Sequence, residues 1–307
     1  MTKSKLLLEP GTLWNKVTQQ TEYALNCGAL HSIATEYELI GDRGINFVVR
    51  SVANLVRKDE AKKQQPQEKK SKKNPFLPYE EDLFVSDLSE THLCLLNKFN
   101  VVDHHLLIVT REFESQDNLL NLNDFQAIWT VLREIDGLAF YNGGAIAGAS
   151  QPHKHLQLIP LPLISEGEKI PIAPAIAAAE FSDTIGTIPQ FSFLHGLMKL
   201  DPSWGESPAQ AGISSLECYH DLLRAVNLLH QEVDSDRLSG AYNLLFTREW
   251  MLLIARSQEH FHSISVNSLG FAGSLFVRND EQRKIVKERG PLTILANVAR
   301  SGKSVLK

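Results

Sequence analysis

Apolar residues recur at near-helical spacing over residues 13–30, which predicts an opening helix. From Gly44 the pattern changes. Ile45-Asn46-Phe47-Val48-Val49-Arg50 is β-branched and aromatic behind a glycine turn and predicts a strand. Two apolar runs, 93–99 and 105–110, flank a polar turn at 100–103 and predict an antiparallel hairpin. Phe125, Ile128, Trp129, Leu132 and Ile135 return to helical spacing, so a helix is expected over 122–138 with Asn123 as its N-cap. Residues 242–247 and 251–256 form a second strand pair, and 215–233 read as a further helix. Residues 107–112 and 253–258 are weakly alike. That likeness fits two related halves, and it fits a coincidence between two apolar strands equally well. Between the two, 170–188 is rich in proline and alanine and reads as a connector with one short helix.

One stretch breaks this alternation. Residues 57–74 are almost wholly Lys, Gln, Glu and Pro, with Lys62, Lys63, Lys69, Lys70, Lys72 and Lys73 clustered. With nothing apolar to bury, the stretch is expected to be a mobile, solvated loop; a phosphate-attracting flap is the alternative. The chain as a whole gives no such signal. Its formal net charge is −5 over 307 residues, so any phosphate site must be local, and no nucleic-acid partner is indicated. A hydrophobic share of 43% suffices for one large core or two halves. Cys27, Cys94 and Cys218 form no CxxC pair, which argues against a disulfide framework and a cysteine-rich zinc site. No apolar run approaches the roughly 18–20 residues that span a bilayer. A cytoplasmic protein without a membrane partner is expected.

Chemistry concentrates in residues 140–160. Gly143, Gly144, Gly148, Ala149 and Ser150 leave backbone N–H groups uncovered, as a phosphate-binding turn requires, although small-residue turns are common. His153, His155 and Gln157 then sit two apart, with Leu156 and Leu158 on the other parity. On a strand the three polar side chains share one face. A satisfied polar surface, a metal site lacking an obvious third ligand, and a nucleophilic histidine all fit this pattern.

The run Asn142, Gly148-Ala149-Ser150-Gln151, His153-Lys154-His155-Leu156-Gln157 resembles the histidine-triad signature, and most closely that of the diadenosine tetraphosphate (Ap4A) phosphorylases, or ATP adenylyltransferases. Asn97-Lys98-Phe99 before the His105 strand and 267–273 resemble further family segments, so the resemblance covers most of the chain. It implies an α+β, HIT-like fold of two related halves, with antiparallel sheets and packed helices. Residues 1–165 would be the catalytic half, and 166–307 the connector and a second half completing the nucleotide site. His155 would be the nucleophile, His153 would orient it through its backbone carbonyl, and Gln157 would hold a phosphate oxygen. Gly148, Ala149, Ser150 and Gln151 would bind phosphate, and Asn142, Asn97, Lys98, Asn267, Ser268, Leu269 and Arg278 would contact the nucleotide. Lys58 is the loosest transfer, with Arg50 as its rival, and Ser274 replaces a larger apolar residue of some members. His104, His260 and His262 are expected to be ordinary core or surface residues, and His105 structural.

The implied reaction is phosphorolysis of Ap4A to ADP and ATP, reversibly, through an adenylyl-histidine. Its small-molecule partners are a dinucleoside polyphosphate, ATP, ADP and phosphate. No cofactor is required, a divalent cation such as Mg can accompany the nucleotide, and the chain would be a monomer or homodimer. Gln157 favours transfer over hydrolysis, because a carboxamide cannot act as a general base. Two alternatives remain. A hexose-1-phosphate uridylyltransferase shares the chemistry but usually has proline where Lys154 stands. A non-catalytic dinucleotide sensor would have no need of His155.

Overall fold

The computed structural model describes residues 4–51, 74–229, 237 and 239–302. Helix α1 (Leu13–Cys27) buries Leu13, Val17, Thr21 and Ala24 and stops where Gly28 turns left-handed at φ 79°, its N–H closing back on Ala24 O and Leu25 O. Strands β1 (Glu36–Asp42) and β2 (Ile45–Ser51) follow as a hairpin. Then come β3 (Phe84–Asp87), β4 (His92–Leu96), β5 (Leu106–Thr110), α2 (Leu122–Leu132), β6 (Gly137–Gly143) and β7 (His155–Pro160). The rest is α3 (Ala173–Ala177), β8 (Glu180–Ser182), β9 (Ile185–Thr187), β10 (His195–Lys199), α4 (Pro208–Ala225), β11 (Tyr242–Phe246), β12 (Trp250–Ala255), β13 (His260–Phe261), β14 (Ile264–Ser265), α5 (Ser268–Phe271), β15 (Ser274–Val277), α6 (Asp280–Arg289) and α7 (Pro291–Val298).

One ten-stranded sheet dominates, ordered β3-β4-β5-β7-β6-β11-β12-β10-β9-β8 and antiparallel at each recorded pairing. Its order has a mirror. The series β4, β5, α2, β6, β7 recurs as β9, β10, α4, β11, β12, and the two meet at the β6–β11 seam with Asn142 directly opposite Asn243. The halves are therefore related, as the α+β expectation held. The resemblance between 107–112 and 253–258 nevertheless aligned β5 with β12, whereas the counterpart of β12 is β7. Two apolar strands of similar length look alike whatever their place in a sheet.

The sheet's two faces are covered differently. Helices α2 and α4 pack on each other and on one face, over Leu106, Ile108, Leu156, Leu158, Leu244 and Leu253. The other face offers Phe140, Ile159, Leu245, Leu252 and Ile254 to β15 and the C-terminal helices. A smaller sheet, β1-β2-β15, carries the one parallel pair among the described residues, β2 with β15. No helix among the described residues is long and apolar enough to cross a membrane.

Several expected boundaries move. Helix α2 ends at Leu132 rather than 138, and Leu138 belongs to β6. Gly137 begins that strand so close to β7 that a Cβ would meet the Leu158 side chain at 2.9 Å. The N-cap is Asn121, not Asn123. Asn121 Oδ1 accepts from the N–H groups of Asn123 and Asp124, and Asp124 Oδ2 accepts from Asn121 N at 2.7 Å, a reciprocal capping box. Helix α4 runs Pro208–Ala225, behind the Ser207 cap, rather than 215–233, and 230–233 lie outside the described residues. The connector holds the expected short helix and also β8 and β9, which extend the sheet.

Candidate active site

Strand β6 ends at Gly143, and the chain returns to β7 through Gly144 (φ 87°), a single 3-10 turn and Gly148 (φ 89°). Gly148 lies against Asn267, where a Cβ would come within 2.8 Å of the Asn267 Cβ, so any side chain would push the loop off its support. Beneath the loop lies a buried polar network across the seam. Asn142 Oδ1 accepts from Asn243 Nδ2 (2.9 Å), Ser268 N (3.0 Å) and Ser268 Oγ (2.7 Å). Asn243 Nδ2 also donates to Ala147 O (2.9 Å), and the Arg256 guanidinium donates to Asn243 Oδ1 and Val298 O. The second half thus fixes the shape of the first half's loop.

On β7, His155 and Gln157 share a face, while Leu156 and Leu158 point to the helices. His155 is 4% exposed. Its Nδ1 lies 2.8 Å from His153 O, and because a carbonyl only accepts, Nδ1 carries the proton and Nε2 the lone pair. Nε2 has no partner among the described residues. Burial pushes the ring's pKa down to about 4, against an opposing lift from the His153 carbonyl, so the imidazole is neutral at pH 7.

The peptide of His155 is held by Gln116, a residue that no sequence signal marked. Its Oε1 accepts from His155 N (2.9 Å), and its Nε2 donates to Asn142 O (2.9 Å) and His155 O (3.3 Å). The carboxamide thereby bridges β6 and β7 where their ladder stops at Phe140–Gln157. Lys154, between the two histidines, is fully buried on the helix side, 2.6 Å from Asp124 and 2.9 Å from Glu114. Burial alone would lower its pKa, but the two carboxylates reverse the shift. Asp124 is itself held down at about 2: burial opposes this, and Lys154 and His92 outweigh burial.

Two asparagine–histidine chains flank His155. Phe76 N donates to Asn74 Oδ1 (3.0 Å), Asn74 Nδ2 meets His153 Nδ1 (3.0 Å), and His153 Nε2 donates to Thr110 O (2.8 Å). On the other side Phe99 N donates to Asn97 Oδ1 (3.3 Å), Asn97 Nδ2 meets His105 Nδ1 (3.2 Å), and His105 Nε2 meets Gln157 Oε1 (2.9 Å). The Phe76 ring packs 5.4 Å from that of His155. Asn74, Phe76 and Thr110 escaped the sequence reading because only the fold brings them to the motif.

His155 opens into a cavity of about 370 Å³ lined also by Phe76, Asn97, Lys98, Phe99, Ser150, Gln151 and Gln157. Ser150 and Gln151 make no hydrogen bond among the described residues, so their N–H groups and side chains are open to a ligand. Lys98 is paired with Glu80 at 2.6 Å, both partly exposed, and Glu80 lines the same cavity. Asn142, 2% exposed and outside the residues lining this cavity, has its Oδ1 saturated by Asn243 and Ser268.

The C-terminal candidates sit further back. Ser268 is fully buried and gives its hydroxyl to Asn142 and Tyr141 O, so it supports the site through Asn142. Asn267 caps α5 through Leu269 N and carries Gly148. Leu269 is core, Ser274 is buried at the start of β15, and Arg278 is exposed just past its end, outside the residues lining the cavity. Arg50, the rival to Lys58, is buried on β2 and donates to Leu163 O at 2.7 Å. Lys58 and nearly all of the 57–74 segment lie outside the described residues. His105, expected to be structural, contacts Gln157 directly.

Comparison with known proteins places this geometry. Residues 3–178 match the Ap4A phosphorylase N-terminal domain, and 189–301 match the ATP adenylyltransferase C-terminal domain. Diadenosine 5',5'''-P1,P4-tetraphosphate phosphorylase 2 of Saccharomyces cerevisiae is 32% identical over 244 residues, covering 70% of this chain and 72% of the relative. Protein APA1 of the same yeast is 25% identical over 307 residues, covering 92% of each. The crystal structure of yeast Ap4A phosphorylase Apa2 superposes with a TM-score of 0.79 at 23% identity over 97% of each chain, which shows a shared fold. With both domains matched in order and a relative above 30% identity, the chain belongs to the Ap4A phosphorylase (ATP adenylyltransferase) family.

Proposed function

We infer that the protein is an ATP adenylyltransferase that splits Ap4A with inorganic phosphate, giving ADP and ATP. The observation that carries this reading is the state of His155: its proton is committed to the His153 carbonyl, and its unpartnered Nε2 lies in a cavity beside the unbonded Ser150 and Gln151. Nε2 attacks the α-phosphorus, the bond from that phosphorus to the bridging oxygen breaks, and ATP departs with the electron pair. The ring becomes cationic in the adduct, and the His153 carbonyl, still accepting from Nδ1, stabilises that charge. The N–H groups at 150–151 and the Gln157 amide receive the equatorial oxygens. Phosphate, already anionic, then attacks the same phosphorus from the vacated side, and ADP leaves His155 as it began. Gln157 cannot deprotonate water, which favours this acceptor over hydrolysis. A magnesium ion would enter as the polyphosphate's counter-ion.

The test uses Ap4A labelled in adenosine, first without phosphate. An acid-labile, base-stable adenylyl adduct on the wild type and none on His155→Ala supports the reading. Saturable binding with no adduct would make the protein a sensor.

A further inference from the structure

The direction in which Gln157 presents its carboxamide matters, because oxygen and nitrogen ends have similar shape and opposite polarity. A nitrogen end donates to a phosphoryl oxygen, whereas an oxygen end repels it. We propose that His105 is a positioning residue that fixes Gln157 with its amide N–H groups facing the reacting phosphate.

The argument starts from a group whose role is fixed. The Phe99 backbone N–H can only donate, and it meets Asn97 Oδ1, so Asn97 turns its Nδ2 toward His105. That amide nitrogen can only donate in turn, so His105 Nδ1 must carry a lone pair. A neutral ring then has its one proton on Nε2, which donates to Gln157 Oε1 at 2.9 Å. Gln157 Nε2 is then the end of the carboxamide without a protein partner among the described residues, and Gln157 shares the cavity wall with His155. Burial holds the His105 pKa down at about 4, so the single-proton tautomer persists at neutral pH. The Phe140 ring, 5.8 Å away, packs on the imidazole and keeps it in place. Reversing any one donor in this chain would turn Gln157 around. Four groups therefore act as one polarity relay, from a backbone amide to the phosphate site.

This inference rests on the adenylyl-transfer reading, and two measurements separate the two. The first needs no turnover. ¹⁵N spectra of the histidine-labelled protein should show His105 protonated on Nε2 only; a proton on Nδ1 would overturn the proposal whatever the activity. The second is a mutant cycle on adduct formation. His105→Phe keeps the bulk and removes the donor, and should lower the maximal rate about 10- to 100-fold with KM within about threefold. His105→Gln can place an N–H near the position of Nε2 and should recover most of the loss. In a Gln157→Ala background, His105→Phe should cost less than about twofold more, since there is no carboxamide left to orient. Independent, multiplicative losses, or His105→Gln as impaired as His105→Phe, would reduce His105 to a packing residue.

Discussion

Lowering the pH from 7 to 5 distinguishes a buried nucleophile from an ordinary histidine. An imidazole with the usual pKa of about 6.5 would be only about 3% neutral at pH 5. His155, pushed down to about 4, keeps about 90% of its lone pairs there. Adduct formation should therefore change by less than about 1.2-fold between pH 7 and 5, where an exposed histidine would lose about 25-fold. The assay is adenylylation in a single turnover, below saturation, so that the profile reports the free enzyme. Omitting phosphate removes the acceptor's own ionisation. Folding must be checked alongside. His155 and His105 both have folded pKa values below the unfolded one, so the unfolded chain binds more protons between about pH 6.5 and 4. Their contribution to stability is complete above that window and lost as pH falls through it, by at most about 2 kcal/mol each at pH 5. A circular dichroism spectrum at each pH separates unfolding from titration. An acid limb centred near 6.5 in a folded protein would refute the claim that burial and the His153 carbonyl set the state of His155.

Other perturbations have equally definite outcomes. His155→Ala should lower turnover by on the order of 10⁴ or more with a melting temperature close to wild type, and Gln157→Ala by about 10²-fold, both read in steady-state nucleotide production. Product analysis should show ADP and ATP at a rate that climbs with phosphate concentration; equal rates without phosphate, with AMP as product, would mean hydrolysis. Glu80→Gln should free the Lys98 ammonium at the cavity wall and lower KM for phosphate by up to about fivefold at low salt, as expected for a partly exposed pair. Asp124→Ala strands Lys154 in the interior with Glu114 alone and should cost about 3–5 kcal/mol in urea unfolding; a change below 1 kcal/mol would show that the pair does not hold the motif strand.

The motif strand was legible because strand periodicity and chemistry coincide there: alternate residues must face alternate sides, so His155 and Gln157 could be placed on one face from spacing alone. The hairpin of β4 and β5 was legible for a different reason: two continuous apolar runs, buried at every position, flank a polar turn. Strand β1, Glu36-Tyr37-Glu38-Leu39-Ile40-Gly41-Asp42, was not, because it lies half-exposed at the edge of the small sheet and carries no clean alternation. Gln116 could not have been found, since a glutamine in a polar loop looks the same whether it faces water or two carbonyls. Ser268 shows the opposite difficulty. Its segment carried the family resemblance, yet its hydroxyl is turned inward to Asn142. Resemblance places a residue at a site without saying whether it touches the ligand or a neighbour that does.

The β6–β11 seam has a consequence for what each half could be alone. All seven residues of β6 and all five of β11 are buried, so either half in isolation would expose a long edge strand, largely apolar apart from Asn142 or Asn243, and able to template association with other chains. Each half closes the other's edge. On the face where β7 carries His155 and Gln157, β12 carries Ile254 and Leu252, so the second half has no polar counterpart of that pair on β12. It remains indispensable all the same: it covers the edge beside the 143–148 loop, and a chain that lost it would expose that edge and lose the Asn243 and Ser268 contacts that hold Asn142 at once.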